Sequence, residues 1–355
     1  MTTRTLTTAA LVAVIGLGAA GCSGPSGADS GAGASSASSE TVTVTNCGQE
    51  VTFPSPVQRM LVNDSNMIAT TLAVGAADQI VAVTGLEKDK AVLEEVYGAE
   101  EVAGLKELGE VGIGLEPILA QRPDMVFAGY NYGFGEGRNL MPDDLAQRGI
   151  APYVLTESCR RSPDKEERGE MDPWKALAAD LTNIGTVTGH EDRAKEVQAD
   201  IDTRLAKLRK APQAQRKPVV FLFDSGTDAP FSSGVYGGPQ GIIEAAGATN
   251  LAEDVKDTWT AISWEKVAAG KPDYIAIVDY PGESVADKVR TLRTNPATKD
   301  LPAVKQGRIV ALPYVAWTSS PLNIDAAESL RKALEEADLV PASGITPTHD
   351  LRVHP

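Results

Sequence analysis

Nine consecutive residues, Tyr130-Asn131-Tyr132-Gly133-Phe134-Gly135-Glu136-Gly137-Arg138, hold three aromatic rings and a guanidinium in a chain that is only 5% aromatic. Rings spaced by glycine suit stacking against a large, rigid, partly apolar ligand, with a few polar groups to orient it. A second set lies further along: Phe231 and Tyr236 in a Gly/Ser-rich stretch, then Trp259 and Trp317. Most of these rings come just after strand-like runs, and α/β folds bind ligands at the carboxyl ends of their strands. Arg138, Arg160 and Arg161 are the cationic candidates, because a guanidinium fork matches carboxylate-like oxygens. The plainer alternative for each ring is core packing, and for each arginine the balancing of a nearby carboxylate.

Catalytic chemistry has little to work with. The histidines are His190, His349 and His354. Two fall in the C-terminal segment and one at the start of a helical stretch, so they do not readily share a zinc or manganese site. No Gly-x-Ser-x-Gly elbow is present, and an exported hydrolase would have only His190 in its folded body. No catalytic residue, resident metal or cofactor is expected. Gly16-Leu17-Gly18-Ala19-Ala20-Gly21 fits the dinucleotide-binding spacing, but no strand precedes it.

The elements that must position the rings are duplicated. Glu116-Pro117-Ile118-Leu119-Ala120-Gln121-Arg122-Pro123-Asp124 precedes an apolar run, Met125 to Ala128. Glu265-Lys266-Val267-Ala268-Ala269-Gly270-Lys271-Pro272-Asp273 precedes another, Tyr274 to Val278. In both, a Glu opens a short helix, a basic residue with Pro-Asp ends it, and a buried-type strand comes next. Matching order on either side of a long helical stretch predicts two similar lobes with a ligand cleft between them. In lobe one, Arg59–Val62, Gln79–Val83, Asp124–Ala128 and Pro152–Leu155 read as strands, with a helix from Ser65 to Ala73 stopped at Gly75. Helix signals then run almost unbroken from Asp172-Pro173 to Pro212, and His190–Lys210 alone would span about 30 Å. In lobe two, Val219–Phe223, Tyr274–Val278 and Arg308–Leu312 read as strands; Pro239–Ala246 and Asn323–Ala337 read as helices. Strands alternating with helices imply mostly parallel sheets covered by helices.

A hydrophobic content of 42% and 355 residues suit two domains of ordinary size, and a formal charge of −15 argues against nucleic acid as a partner. Arg4 heads an apolar run, Ala9 to Ala20, that is too short to span a bilayer and ends Ala19-Ala20-Gly21-Cys22. This resembles the bacterial lipoprotein signal, which implies lipidation of Cys22; an ordinary signal peptide cut nearby is the alternative. The residues after it are almost entirely Ser, Gly and Ala and read as a flexible tether. With Cys22 so assigned, Cys47 and Cys159 remain, and an exported protein pairs an even remainder. The expected disulfide ties the first strand of lobe one to its last loop; two separate buried thiols are the alternative. The expected organisation is a signal peptide over 1–21, a tether over 22–40, an N-terminal α/β lobe over 41–171, a helical segment over 172–212, a C-terminal α/β lobe over 213–340, and an irregular tail over 341–355.

Pro230-Phe231-Ser232-Ser233-Gly234, Gly247-Ala248-Thr249-Asn250, Trp259 ahead of Ser263-Trp264-Glu265, and Trp317 with Ser320-Pro321 make the chain similar to substrate-binding proteins of bacterial ABC importers. The class it resembles has two Rossmann-like α/β lobes bridged by a single long α-helix and carries ferric siderophores, haem and vitamin B12. The resemblance implies an extracytoplasmic, lipid-anchored monomer that captures a ferric siderophore in its cleft, with Tyr130, Tyr132, Phe134, Arg138, Arg160, Phe231, Tyr236, Trp259 and Trp317 as ligand contacts. A corrinoid or haem is the alternative cargo. It further implies that Glu116 and Glu265, one per lobe, dock on an ABC permease driven by its ATPase. The helix dipole alone also favours a carboxylate at these positions.

Overall fold

The structure is a computed structural model, which describes residues 40–135, 140–162 and 165–353. The expected signal peptide, nearly all of the tether, Cys22, Arg138 and His354 lie outside the described residues.

Lobe one opens with an antiparallel hairpin, β1 (Thr41–Asn46) and β2 (Gln49–Pro54). Its two turn residues, Cys47 and Gly48, both have positive φ, as tight hairpin turns require. Next come β3 (Met60–Asn63), α1 (Ser65–Ala73) and β4 (Ile80–Thr84). Three helices, α2 (Lys90–Tyr97), α3 (Ala99–Ala103) and α4 (Leu115–Ala120), precede β5 (Met125–Ala128). A single turn, α5 (Tyr130–Gly133), and α6 (Pro142–Ala146) lead to β6 (Ala151–Val154). Strands β4-β3-β5-β6 form one parallel sheet. Every residue of β3 and of β5 is buried, the pattern of parallel strands covered on both faces.

Two helices come next rather than one unbroken stretch: α7 (Pro173–Thr188) and α8 (Glu191–Lys210). Gly189 sits in the left-handed region at φ 76° and reverses the chain, a helix-ending role that glycine fills without steric cost. Near its start α7 reaches lobe two, where the Trp174 indole donates to the Gly241 carbonyl. At its end Val187 accepts from the Val57 amide of lobe one. Helix α8 then carries the chain back as the connecting rod, from Arg193 on the Ala73 carbonyl to Arg204 deep in lobe two.

Lobe two contains β7 (Val219–Phe223), β8 (Phe231–Ser233), α9 (Gly238–Ala245), β9 (Thr249–Asn250) and β10 (Trp259–Ala261). It continues through α10 (Trp264–Gly270), β11 (Tyr274–Asp279), α11 (Val285–Thr294) and α12 (Pro302–Lys305). It closes with β12 (Ile309–Pro313), α13 (Tyr314–Trp317) and α14 (Asn323–Glu336). Its sheet order, β9-β7-β11-β12, is parallel throughout. The final segment packs on this lobe: Leu351 is buried and Val353 pairs with Ala311.

One apolar cluster runs from Phe53 and Met60 through Leu181 and Ile201 to Leu330, so the lobes share a core. Arg204 strengthens the rod's far end with buried ion pairs to Asp325 at 2.5 Å and Glu328 at 2.7 Å. Removing one partner of such a set strands a buried charge and costs about 3–5 kcal/mol.

Candidate functional site: the cleft between the lobes

A cavity of about 530 Å³ lies between the carboxyl ends of the two sheets. Lobe one lines it with Tyr130, Asn131, Tyr132, Glu166 and Arg168; lobe two lines it with Asp224, Ser225, Phe231, Trp259, Tyr280 and Tyr314, among others. The one-turn α5 presents Tyr130 and Tyr132 stacked with centroids 5.6 Å apart. Gly133 permits this tight turn after β5, since a Cβ there would lie 2.9 Å from Asn63 Oδ1. Opposite, the antiparallel ribbon of β8 and β10 stacks Phe231 on Trp259 at 6.5 Å and 17°. Phe231 is one of only two large apolar side chains exposed among the described residues.

Polar groups behind the rings set their places. The Tyr132 and Tyr314 hydroxyls are 2.9 Å apart across the lobes, and Tyr314 donates to Asp64 at 2.9 Å. Asp64 also pairs with Lys88, whose ammonium lies 4.8 Å from the centre of the Tyr314 ring. Burial holds the Tyr130, Tyr132 and Tyr314 phenols well above their usual range, so they are neutral donors at neutral pH. Burial likewise raises Asp89, to about 6, although Lys88 and Ser65 pull it down. Arg168 reaches Ser158 O at 2.5 Å and Asn131 Oδ1 at 2.6 Å, with its guanidinium 5.7 Å from the centre of the Tyr130 ring. Glu157, 2% exposed, accepts from Gly238 N at 2.9 Å, Trp259 Nε1 at 3.2 Å and Ser319 N at 2.7 Å.

Four sequence-derived candidates therefore meet at the cavity: Tyr130, Tyr132, Phe231 and Trp259. Four others do not. Phe134 turns into lobe one and packs with Leu61, Val126 and Leu145, because the chain leaves α5 toward the sheet. Trp317 is fully buried at the root of α14. Tyr236 lies beneath Arg161, 5.2 Å from its guanidinium, outside the cavity wall. Arg160 is exposed and borders a different hollow of about 770 Å³ on lobe one, between β2, α6 and β6. Arg168 supplies the cleft's guanidinium instead. Sequence reasoning also misses Tyr280, Tyr314, Asp64 and Glu157; the last two are single acids, at the N-cap of α1 and in a 3-10 turn, with no periodicity to reveal them.

The remaining candidates sit on the periphery. Cys47 and Cys159 form a disulfide that pins the β1–β2 turn to the loop after β6. Glu116 and Glu265 are exposed in the first turns of α4 and α10. Among the described residues no group of acidic, histidine or cysteine side chains could hold a metal ion, and no helix is long and apolar enough to cross a membrane.

A profile of the periplasmic binding protein family matches residues 62–316, from the end of β3 to α13. The chain belongs to that family. This periplasmic binding protein is the extracytoplasmic solute-binding component of an ABC importer, not an enzyme, and serves a permease and its ATPase. A petrobactin-binding protein, YclQ of Bacillus subtilis, is 22% identical over 63% of this chain and 77% of its own length. A vitamin B12-binding protein of Pectobacterium carotovorum is 25% identical over 62% of this chain and 70% of its own. The structure of an Fe3+-hydroxamate transport system protein from Saccharomonospora viridis superposes with a TM-score of 0.69 at 24% identity. It covers 82% of this chain and 98% of its own, and it shows the fold.

Proposed function

We propose that this periplasmic binding protein captures a ferric siderophore in the inter-lobe cleft. The observation that carries this reading is the wall itself. Two stacked aromatic pairs, Tyr130–Tyr132 and Phe231–Trp259, face a cavity of about 530 Å³, with neutral phenols and one guanidinium at hand. Such a surface suits a preformed chelate whose metal is already coordinated by its own ligand. The petrobactin-binding relative supports the same class. A corrinoid is the second reading, favoured by the vitamin B12-binding relative, and would use the same rings.

Quenching of intrinsic tryptophan emission tests the cargo, because Trp259 lines the cavity. A ferric trihydroxamate, a ferric catecholate, a corrinoid and haem are titrated in parallel. Quenching by an iron chelate at sub-micromolar concentration supports the reading; tighter binding of the corrinoid or of haem overturns it. We further propose that the protein acts as a monomer, tethered to the outer face of the membrane by a lipid on Cys22. Cys22→Ala should release the protein from the membrane fraction.

A further inference from the structure

We propose that Glu157 is a positioning residue that aims the Trp259 ring at the ligand while clasping lobe two to lobe one. This rests on the reading of the cleft as the ligand site and adds to it the group that holds its geometry. Glu157 belongs to a single 3-10 turn, Thr156–Ser158, directly after β6 in lobe one. Three donors reach it from lobe two: the first residue of α9, the amide of Ser319 after α13, and the indole of Trp259 in β10; the Tyr130 phenol of lobe one also interacts with it. No side chain of lobe two caps α9, so a carboxylate from the other lobe does so, at the end where the helix dipole favours negative charge.

The consequence is a shared anchor. The Trp259 ring lines the cavity, yet its only polar atom is bound to the carboxylate that also holds the lobes together. Glu157 is not among the cavity-lining residues and is 2% exposed, so it acts through Trp259 and through the seam. Burial raises its carboxyl, and the Gly238 and Ser319 amides and the Trp259 indole offset that by favouring the charged form.

The indole N–H groups of the protein labelled with 15N-tryptophan provide the test. The chain has four tryptophans. Trp174 and Trp264 donate to carbonyls, Trp259 to a carboxylate, and Trp317 has no partner among the described residues. Trp259→Phe assigns the signal. Glu157→Gln should then shift the Trp259 signal upfield and leave the other three in place; an unmoved Trp259 signal overturns the proposal. Should Glu157→Gln perturb all four, the unaltered protein decides. There Trp259 must resonate downfield of Trp317, and coincidence of the two overturns the assignment.

Affinity gives the second arm. Glu157→Gln and Trp259→Phe should each weaken binding of a ferric trihydroxamate about tenfold, and the double variant by less than the product of the two, because they share one charge-assisted bond. Additive losses overturn the coupling. If the unaltered protein binds neither the ferric trihydroxamate nor the ferric catecholate, the cargo reading fails, while the indole signals still decide the role of Glu157.

Discussion

The two lobes are built on one plan and finished differently. Both sheets run second-first-third-fourth in chain order, and both are parallel throughout. The repeated segments match down to the backbone: Arg122 and Lys271, equivalent in the repeat, both adopt positive φ, at 50° and 45°. Asp124 and Asp273, equivalent again, each accept from amides at or just before the start of the first strand of their lobe's parallel sheet, β3 and β7. Beyond lobe one's opening hairpin and helices, the divergence that shapes the cavity lies in the segments past the strand ends. Lobe one adds a single helical turn after β5 and a loop stapled by a disulfide; lobe two adds the β8–β10 ribbon. The duplicated part sets the spacing of the sheets, and the unduplicated part supplies the aromatic walls of the cavity.

The largest expected effect breaks the shared part from outside. Reversing both exposed carboxylates, Glu116→Arg with Glu265→Arg, should abolish uptake into cells while leaving ligand affinity unchanged. Each reversal alone should reduce uptake by a similar factor, since the two sit in equivalent first turns. A loss of affinity, or one reversal without effect, would remove the functional equivalence of the lobes.

Next in size is the staple that only lobe one possesses. The Cys47–Cys159 bond closes a loop of 112 residues. Chain entropy for a loop of that length corresponds to about 4–5 kcal/mol. Cys47→Ser with Cys159→Ser should lower the urea midpoint accordingly, and hydrogen exchange should accelerate more in lobe one than in lobe two.

A third contrast lies in buried charge. In lobe one burial raises Asp180 from 3.8 to about 7, although Thr156 and Tyr153 donate to it. Its folded form therefore holds a proton longer than the unfolded chain. The resulting stability is full below pH about 4 and is lost as pH rises through about 7. Asp180→Asn should flatten that stretch of a melting-temperature profile. In lobe two burial lowers Lys288, partly offset by Asp224, so its contribution has the opposite sign and is lost as pH falls through the lowered value. Lys288→Met should flatten the alkaline side only.

Much of this contrast is legible in residue order, and the illegible parts have identifiable causes. The apolar pattern marks Val219–Phe223 to the residue, and β5 and β11 to within one, because buried parallel strands are short continuous apolar runs. It places the start of the connecting helix at His190, yet reads helix signals as almost unbroken across Gly189 because the apolar stripe resumes on α8. Rings can be located in the sequence but not aimed: Tyr132 and Phe134 lie two residues apart, and one faces the cavity while the other faces the core. Glu157 and Asp64 are invisible there for a different reason. A buried acid is recognised by its donors, and theirs come from segments 81 and 250 residues away.

The smallest effect gives the sharpest test of the duplication. Asp124 accepts from Gln58 N at 3.1 Å and Arg59 N at 3.0 Å, while Asp273 accepts from Val219 N at 2.8 Å. Asp273 also takes a two-pronged contact from Arg216, at 2.8 Å on each oxygen. That arginine side chain is 72% exposed, so the ion pair should contribute little. The shared plan then resides in the capped amide, and Asp124→Ala and Asp273→Ala should each cost about 1–2 kcal/mol in urea unfolding. Arg216→Ala should cost well under about 1 kcal/mol. If Arg216→Ala instead proved as costly as Asp273→Ala, the acid of lobe two would serve the guanidinium rather than the strand, and the two repeats would share a shape without sharing a role.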